Sequence, residues 1–235
     1  MFPPDMFALE RYGLNLTHLA RQGMFSPLTG YEACVNRVFE ILLRKEQSNN
    51  KYNPLLFDQD EKVRWRVVIE VVRRMAVGDA PELFLSREII ALNYETLLAD
   101  VAEMRAVHIA GQPSFGTDEN DIVSLPSETE EKEQSALRSV FDKWREPNRV
   151  IERLRTLLLA LRQTDGRVLL FANRFHYLVG IDGWNLLKPA LARREIQLIA
   201  ACTPEQYRDY IERDASIQRR MQEIRILSDQ ELQQR

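Results

Sequence analysis

The stretch Pro54–Asp79, PLLFDQDEKVRWRVVIEVVRRMAVGD, decides the fold. Its first four residues form a short apolar run, which is typical of a buried strand. A polar turn follows at Asp58–Glu61, and a long, half-apolar helix then runs to about Gly78, because Pro81 prevents its continuation. This strand–turn–helix unit predicts an α/β domain in which helices cover both faces of a parallel sheet.

The turn stands where such a sheet usually binds a ligand, outside the carboxyl end of a strand and at a helix N-terminus. A phosphate-binding GxxxxGK[ST] loop cannot be present, because the sequence has no glycine between Tyr31 and Val77. The turn carries Asp58, Asp60 and Glu61 instead, whose charges repel phosphate. We interpret the stretch as a nucleotide-binding architecture that has lost its nucleotide site.

The composition limits the classes of function. The chain has 235 residues, of which 45% are hydrophobic and 29% charged, and its formal charge of −3 favours neither nucleic acid nor an anionic membrane as partner. It contains no apolar run long enough to span a membrane. Cys34 and Cys202 lie far apart without metal-ligand spacing, so we expect no metal site and a reducing, cytoplasmic location.

The rest of the chain alternates between short apolar runs, which predict strands, and apolar residues at helical spacing, which predict helices. We expect helical pieces on either side of Gly13, and a helix that follows the strand at 167–172 and ends at about Arg194. If Asn185 is the N-cap of this helix, Pro189 lies at the end of its first turn, where a proline costs least. Thr203 and Pro204 open a further helix with a capping box. The remaining predicted elements are helices at 31–45, 94–102, 134–144, 149–163 and 215–223 and strands at 87–92, 167–172, 195–200 and 224–227.

One segment breaks this pattern. Between about residues 106 and 133 the chain becomes rich in Gly, Pro and Ser, and Phe115–Glu133 holds seven acidic residues against the single Lys132. Such a composition is typical of a solvated, disordered insertion. The predicted organisation is therefore an N-terminal helical segment at 1–29, a domain at 30–227 that the insertion interrupts, and a polar tail at 228–235.

Three long segments resemble one known family. They are ALERYGLNLTHLARQG, SPLTGYEACVNRVFEILLRK and NLLKPALARREIQLIAACTPEQYRDYIERDASIQRR, which begin at Ala8, Ser26 and Asn185. All three resemble the first ATPase module of the Clp/Hsp100 unfoldases ClpA, ClpB, ClpC and ClpV. The resemblance implies an AAA+ (P-loop NTPase-like) three-layer αβα fold with a five-stranded parallel sheet. The family's helical lid subdomain has no room after Leu227, so we expect it to be missing.

The resemblance also assigns the nucleotide-binding positions. Where the family has its phosphate loop ending in Gly-Lys-Thr, this chain has Val63, Arg64 and Trp65, and Trp65 cannot supply the hydroxyl that binds magnesium. Where the family's catalytic strand ends in Asp-Glu, this chain has Asn173 and Arg174, and an arginine cannot act as a general base. ATP and magnesium are the family's ligands, yet we expect neither cofactor here and no catalytic residue. The degenerate turn comprises Asp58, Gln59, Asp60, Glu61, Lys62 and Val63.

Other family positions keep suitable residues. Cys202 and Thr203 occupy the position that senses the γ-phosphate in the family, although Thr203 is equally suited to cap its own helix. Arg219 and Arg220 match the paired arginine fingers that reach the nucleotide of a neighbouring subunit. Two solvated arginines on an amphipathic helix are the alternative interpretation.

The substitutions suggest how the degenerate site is closed. A helix N-terminus carries free N–H groups and partial positive charge, which Asp60 or Glu61 can satisfy in place of phosphate. Arg174 projects from the neighbouring strand end, and we expect it to form a salt bridge with Asp58 or Asp60.

Three functions follow from these expectations. The first is a non-hydrolysing pseudo-ATPase that binds a protein partner, such as an active Clp ATPase, and offers Arg219 and Arg220 to it. The second is an atypical ATP-binding chaperone subunit. The third is a scaffold or adaptor that uses the fold only as a surface. The lost catalytic positions favour a protein that is not an enzyme.

Overall fold

The described part of the chain forms one mixed sheet covered by helices. A computed structural model describes residues 6–46, 51–98, 147–181 and 183–233. The sheet within these residues has six strands in the order β1-β3-β4-β5-β2-β6, of which the last five are parallel and β1 is antiparallel to β3. The strands are β1 Gly13–Asn15, β2 Asn53–Phe57, β3 Glu88–Leu92, β4 Val168–Ala172, β5 Leu198–Cys202 and β6 Met221–Arg225.

Helices connect the strands and lie on both faces of the sheet. None of the described helices is long and apolar enough to cross a membrane. They are α1 Met6–Tyr12, α2 Leu16–Arg21, α3 Glu32–Leu43, α4 Glu61–Val77, α5 Glu82–Leu85, α6 Tyr94–Leu98, α7 Pro147–Gln163, α8 His176–Gly180, α9 Gly183–Ala192, α10 Pro204–Gln206, a π-helical turn Tyr207–Ile211, α11 Ala215–Gln218 and α12 Asp229–Gln233.

The central strands send alternate side chains into two separate cores. In β2, Leu55 packs into the core under α1, α7 and α9, whereas Leu56 packs into the core under α2, α3 and α4. The same alternation separates Leu170 from Phe171 in β4, and both side chains are fully buried. A period of two in strands buried on both faces produces the three-layer architecture, as expected for the AAA+ fold.

The sheet differs from the predicted one at its first strand. The predicted sheet has five parallel strands, and the structure adds the antiparallel strand β1 at one edge. The sequence indicated a helix break at Gly13, whereas Gly13 pairs with Leu92 at the start of β1. A side chain at Gly13 would clash, because its Cβ would lie 2.2 Å from Ile90 and 2.8 Å from the Leu9 carbonyl.

Several predicted boundaries are also corrected. β5 begins at Leu198 and β6 at Met221, each three residues from the predicted start, and α11 ends already at Gln218. Asn185 is not an N-cap, because α9 begins at Gly183, where the helix packs too closely against Leu154 for a side chain. The acidic insertion at 106–133 lies outside the described residues.

The last described helix contacts the start of α3. Asp229 of α12 accepts hydrogen bonds from the backbone N–H groups of Glu32 and Ala33, at 3.1 and 3.2 Å. Its own N–H donates to the Gly30 carbonyl at 2.8 Å. Asp229 therefore caps α3 from a distant part of the sequence, and these hydrogen bonds lower its pKa.

A buried carboxylate fixes the segment before α3 to the middle of α4. Glu70 is 1% exposed and accepts hydrogen bonds from Arg73, Arg74 and the Leu28 N–H, at 2.7 to 3.1 Å. Burial alone raises the pKa of Glu70, but these hydrogen bonds hold it below its ordinary value. Glu70 is therefore charged, and it stabilises the fold through a compensated buried ion pair.

We expect Glu70→Ala to lower the free energy of unfolding by about 3 kcal/mol, because it leaves two half-buried arginines and the Leu28 N–H without their acceptor. Urea denaturation measures this loss. Glu40→Ala is the matched control, since it breaks the exposed Arg37–Glu40 pair and should cost about 0.5 kcal/mol or less. Equal losses in the two variants would contradict a structural role for Glu70.

Candidate functional site

The candidate site is the turn between β2 and α4, at the carboxyl end of the parallel strands. The Asp60 carboxylate caps α4 by accepting the Lys62 N–H at 2.7 Å, and Asp58 accepts the Asp60 N–H at 2.8 Å. The predicted cap is thus confirmed for Asp60. The chain itself satisfies N–H groups at this helix start, where an anion would otherwise bind.

Arg64 fills the interior of the turn. Its side chain is among the largest fully buried in the described chain, and the residue is 2% exposed. It points back toward the helix N-terminus, as helical side chains do, and its guanidinium donates to the carbonyls of Asp58 and Gln59. Its Nε lies 3.5 Å from the Asn173 amide oxygen. Burial lowers the pKa of Arg64, and the nearby charges of Glu61 and Asp58 oppose this shift.

A salt bridge joins the tip of β4 to the start of α4. Arg174 donates to both carboxylate oxygens of Glu61, at 2.9 and 3.2 Å, and Asn173 donates to the same carboxylate at 2.6 Å. The sequence predicted a bridge from Arg174 to Asp58 or Asp60, and that choice of partner is wrong. Both aspartates instead accept backbone N–H groups within the turn, which leaves Glu61 to face β4.

The backbone at Arg174 takes an unusual conformation. Its φ of 55° lies in the left-handed region, which costs a non-glycine residue roughly 1 kcal/mol. The bidentate pair with Glu61 and the neighbouring Asn173 contact offset this cost. The strand tip is therefore held in one orientation by polar contacts with α4.

The residues at the end of β5 and directly after it have local structural roles. The Cys202 thiol is fully buried, and burial raises its pKa to about 12, so it is neutral at physiological pH. The Thr203 hydroxyl accepts the Gln206 N–H at 3.2 Å, and the Gln206 side chain accepts the Thr203 N–H at 2.9 Å. This reciprocal pair is the predicted capping box, so the Thr203 hydroxyl is used in starting α10.

Comparison with known proteins relates the chain to one group of chaperones. ClpC2 from chloroplasts of Arabidopsis thaliana is 31% identical over 228 residues, which is 94% of this chain and 19% of that protein. ClpB 1 of Thermosynechococcus vestitus is 30% identical over 226 residues, or 93% of this chain and 21% of that protein. The chain is related to the Clp (Hsp100) chaperones.

This Clp relationship covers a limited part of the relatives. ClpB of Gloeobacter violaceus shows the same extent, with 29% identity over 93% of this chain and 20% of that protein. The chain thus spans about a fifth of the length of the relatives it matches. No family model matches it.

The two arginines that the sequence predicts to be arginine fingers lie away from the turn. Arg219 and Arg220 directly precede β6, whereas the turn follows the opposite end of the adjacent strand β2. Five residues of strand separate the two ends, which corresponds to roughly 16 Å. Arg219 is exposed, and Arg220 donates to the Ser216 carbonyl at 3.0 Å. The structure therefore does not bring these arginines together with the other predicted site residues.

The remaining turn residues differ in their surroundings. Trp65 packs edge-on against Phe171 with 5.0 Å between ring centres, and Val63 packs on the same core, while Lys62 is exposed. Sequence reasoning missed Glu205, which accepts a hydrogen bond from Gln59 at 2.7 Å. No local pattern could reveal that contact, because the two residues are 146 positions apart.

His176 lies behind the Glu61–Arg174 pair as a neutral, buried side chain. The residue is 7% exposed, and its Nδ1 has no hydrogen-bond partner among the described residues. Burial, with the charges of Arg174 and Arg64, lowers the pKa of His176 to about 3. A protonated imidazole would add a buried positive charge near the charges of Arg174 and Arg64. His176 therefore has a structural role at neutral pH.

We expect Arg64→Ala to lower the free energy of unfolding by about 3 kcal/mol, because it opens a cavity and leaves the Asp58 and Gln59 carbonyls unpaired. Urea denaturation is the measurement, and Lys62→Ala is the control, since that side chain is exposed on the same helical turn. A loss no larger than in the control would show that Arg64 does not organise the turn.

We expect His176 to make the protein sensitive to acid. Its folded pKa is lower than its unfolded value of about 6.5, so the unfolded state binds the proton first. The stability that His176 provides is present above pH 6.5 and is lost as the pH falls toward 3, by at most about 1.4 kcal/mol per pH unit. His176→Phe should reduce this slope in thermal melts between pH 6.5 and 4, whereas the exposed His18→Gln should not. Equal slopes would rule out the assignment.

Proposed function

We propose that the chain is a non-hydrolysing, Clp-like AAA+ module, a pseudo-ATPase that acts through protein–protein contact in the cytoplasm. The observation that carries the proposal is the Arg64 guanidinium inside the turn, where it donates to the chain's own carbonyls. In a nucleotide-binding turn the corresponding groups are N–H donors that point at phosphate. Here the turn presents acceptors, and its own cation occupies them.

The residues of the turn do not fit a triphosphate. A phosphate chain would have to displace Arg64 from its two carbonyl contacts and Asp60 from the N–H groups that it caps. It would also approach the carboxylates of Asp58, Asp60 and Glu61 without a compensating loop of glycines. These costs oppose the single favourable feature, the positive charge of Arg64.

The strand tip does not fit magnesium. The Asn173 amide and the Arg174 guanidinium both bind the Glu61 carboxylate, so the one acid at this position is already neutralised. A divalent cation prefers several carboxylate oxygens and is repelled by arginine. We therefore derive no hydrolytic step, since an arginine that stays protonated cannot activate water.

The Clp relationship supports a protein as the partner. The relatives have the name chaperone protein, and chaperones act on other proteins. We infer for this chain only that it uses the fold to contact proteins. Arg219 and Arg220 lie at the end of the sheet opposite the closed turn, which suits contact with another molecule. An active Clp ATPase is one partner that this arrangement admits.

Titration with labelled ATP tests the proposal. We expect no saturable binding of ATP to the purified chain at ATP concentrations up to about 1 mM, with or without magnesium. The reason is that the turn has no glycine loop whose N–H groups could donate hydrogen bonds to phosphate. A ClpB ATPase module measured in parallel is the positive control. Micromolar affinity that depends on magnesium would refute the proposal and would favour the atypical ATP-binding subunit.

Arg64→Ala sharpens the same experiment. If Arg64 only covered an intact site, its removal would uncover nucleotide binding. We expect this variant to stay without affinity for ATP, because Asp58, Asp60, Asn173 and Arg174 remain in place. Binding gained by the variant would contradict the loss of the site itself.

A further inference from the structure

A second charged surface lies at the opposite end of the sheet from the turn. It surrounds the starts of the neighbouring strands β5, β2 and β6 and comprises residues 44–46, 51–52, 193–196 and 219–220. We call it the basic end, because it concentrates positive charge in a chain whose formal charge is −3. Its basic residues are Arg44, Lys45, Lys51, Arg193, Arg194, Arg219 and Arg220.

The acidic residues of the basic end are already neutralised. Glu195 pairs with Arg162 at 2.8 Å and with Arg193 at 2.6 Å, and Glu46 pairs with Arg87 at 3.3 Å. Arg44, Arg219 and Arg220 form no ion pair with any carboxylate of the described residues. The surface therefore carries an excess of positive charge that attracts anions.

Helix ends explain part of this charge. The helices α3 and α9 both end here, and cations are favourable at helix C-termini. Arg194 serves in this way, because its guanidinium donates to the Lys45 carbonyl after α3 at 2.5 Å. Arg219 does not bind a helix C-terminus in this way, since its exposed side chain has no hydrogen-bond or ion-pair partner in the described part of the chain. A structural role thus accounts for Arg194 and leaves Arg219 unexplained.

The basic end also contains a small cleft. Tyr52, Arg194, Arg219 and Arg220 line it together with Leu191 and Ala192, and its volume is about 170 Å³. The Arg194 guanidinium lies over the Tyr52 ring, 5.6 Å from its centre. Asn53 fixes the backbone at the other wall by donating to the Arg220 carbonyl at 3.1 Å. The backbone that carries Arg220 is thus held in place by Asn53. Such an arrangement suits the bidentate binding of one carboxylate by arginine.

We propose that the basic end docks an acidic segment of a partner protein, with one Asp or Glu carboxylate bound in the cleft by Arg219 and Arg220. The size of the cleft fits one such side chain, and the surrounding cations attract the flanking acids. A nucleic acid is less suited, because its binding proteins are strongly basic overall, whereas this chain has a pI of about 5.8. The inference rests on the proposed function only in treating the chain as a protein-binding module.

Fluorescence anisotropy with a labelled peptide tests this proposal. The probe is a short peptide of alternating Glu and Gly, and its counterpart with Gln in place of Glu is the control ligand. We expect saturable binding of the Glu peptide alone at physiological ionic strength. Arg219→Gln/Arg220→Gln should weaken it about ten-fold or more, because two charge-assisted contacts are lost. Arg219→Gln alone should also weaken binding of the Glu peptide. Because Arg219 is exposed, this single variant replaces the double variant if the double variant fails to fold.

A matched pair of substitutions separates the cleft from general charge effects. Arg37→Gln/Arg155→Gln removes the same charge from exposed arginines elsewhere, each of which pairs with a glutamate on its own helix. This control should bind the Glu peptide as the unchanged protein does. An equal loss in the control, or no binding of the Glu peptide, would overturn the proposal.

Two further outcomes keep the inferences apart. Tighter binding of a single-stranded oligonucleotide than of the peptide, lost with Arg219 and Arg220, would replace the protein partner by nucleic acid and overturn the proposal. Peptide binding is independent of the ATP titration. Binding of both ATP and the Glu peptide would refute the pseudo-ATPase function and support the docking site. Binding of neither would support the pseudo-ATPase function and refute the docking site.

Discussion

The geometry of the turn depends on one buried positive charge. Taking a guanidinium out of water costs several kcal/mol unless oxygen atoms replace its hydration. Arg64 receives these oxygens from the carbonyls of Asp58 and Gln59, and the nearby carboxylates of Glu61 and Asp58 offset part of the cost of its burial. Glu61 in turn holds Asn173 and Arg174. The conformation of the turn and the orientation of the β4 tip are therefore parts of one electrostatic arrangement.

This arrangement makes the two ends of the sheet chemically different. At the carboxyl ends of the strands, Glu61 pairs with Arg174 and Glu205 pairs with Arg208, while Asp58 and Asp60 accept backbone N–H groups. At the opposite end, the acids pair with arginines of adjacent segments and leave a surplus of cations. The relatives are chaperones. In this chain the polar groups of the turn bind one another, whereas the cations of the basic end face the solvent.

The sequence predicted most of the fold because the central strands are short apolar runs between clear helix signals. β1 escaped prediction, since its three residues form a strand only by pairing with β3. The Thr203 capping box could be predicted because its residues are close in sequence. The partner of Arg174 could not, because three carboxylates in the turn compete and backbone N–H groups occupy two of them. The burial of Arg64 is likewise a property of the folded turn, as the sequence alone shows only an arginine in a polar segment.

The position of β6 has a consequence for association between copies of the protein. In the described sheet β6 is the outermost parallel strand, and its free edge offers backbone groups on which a foreign strand could assemble. Glu223 and Arg225 are exposed in this strand, whereas Met221 and Ile224 are buried. Charges on an edge strand discourage such stacking, because an added strand would have to desolvate them. Glu223 and Arg225 therefore disfavour the addition of another strand to the β6 edge.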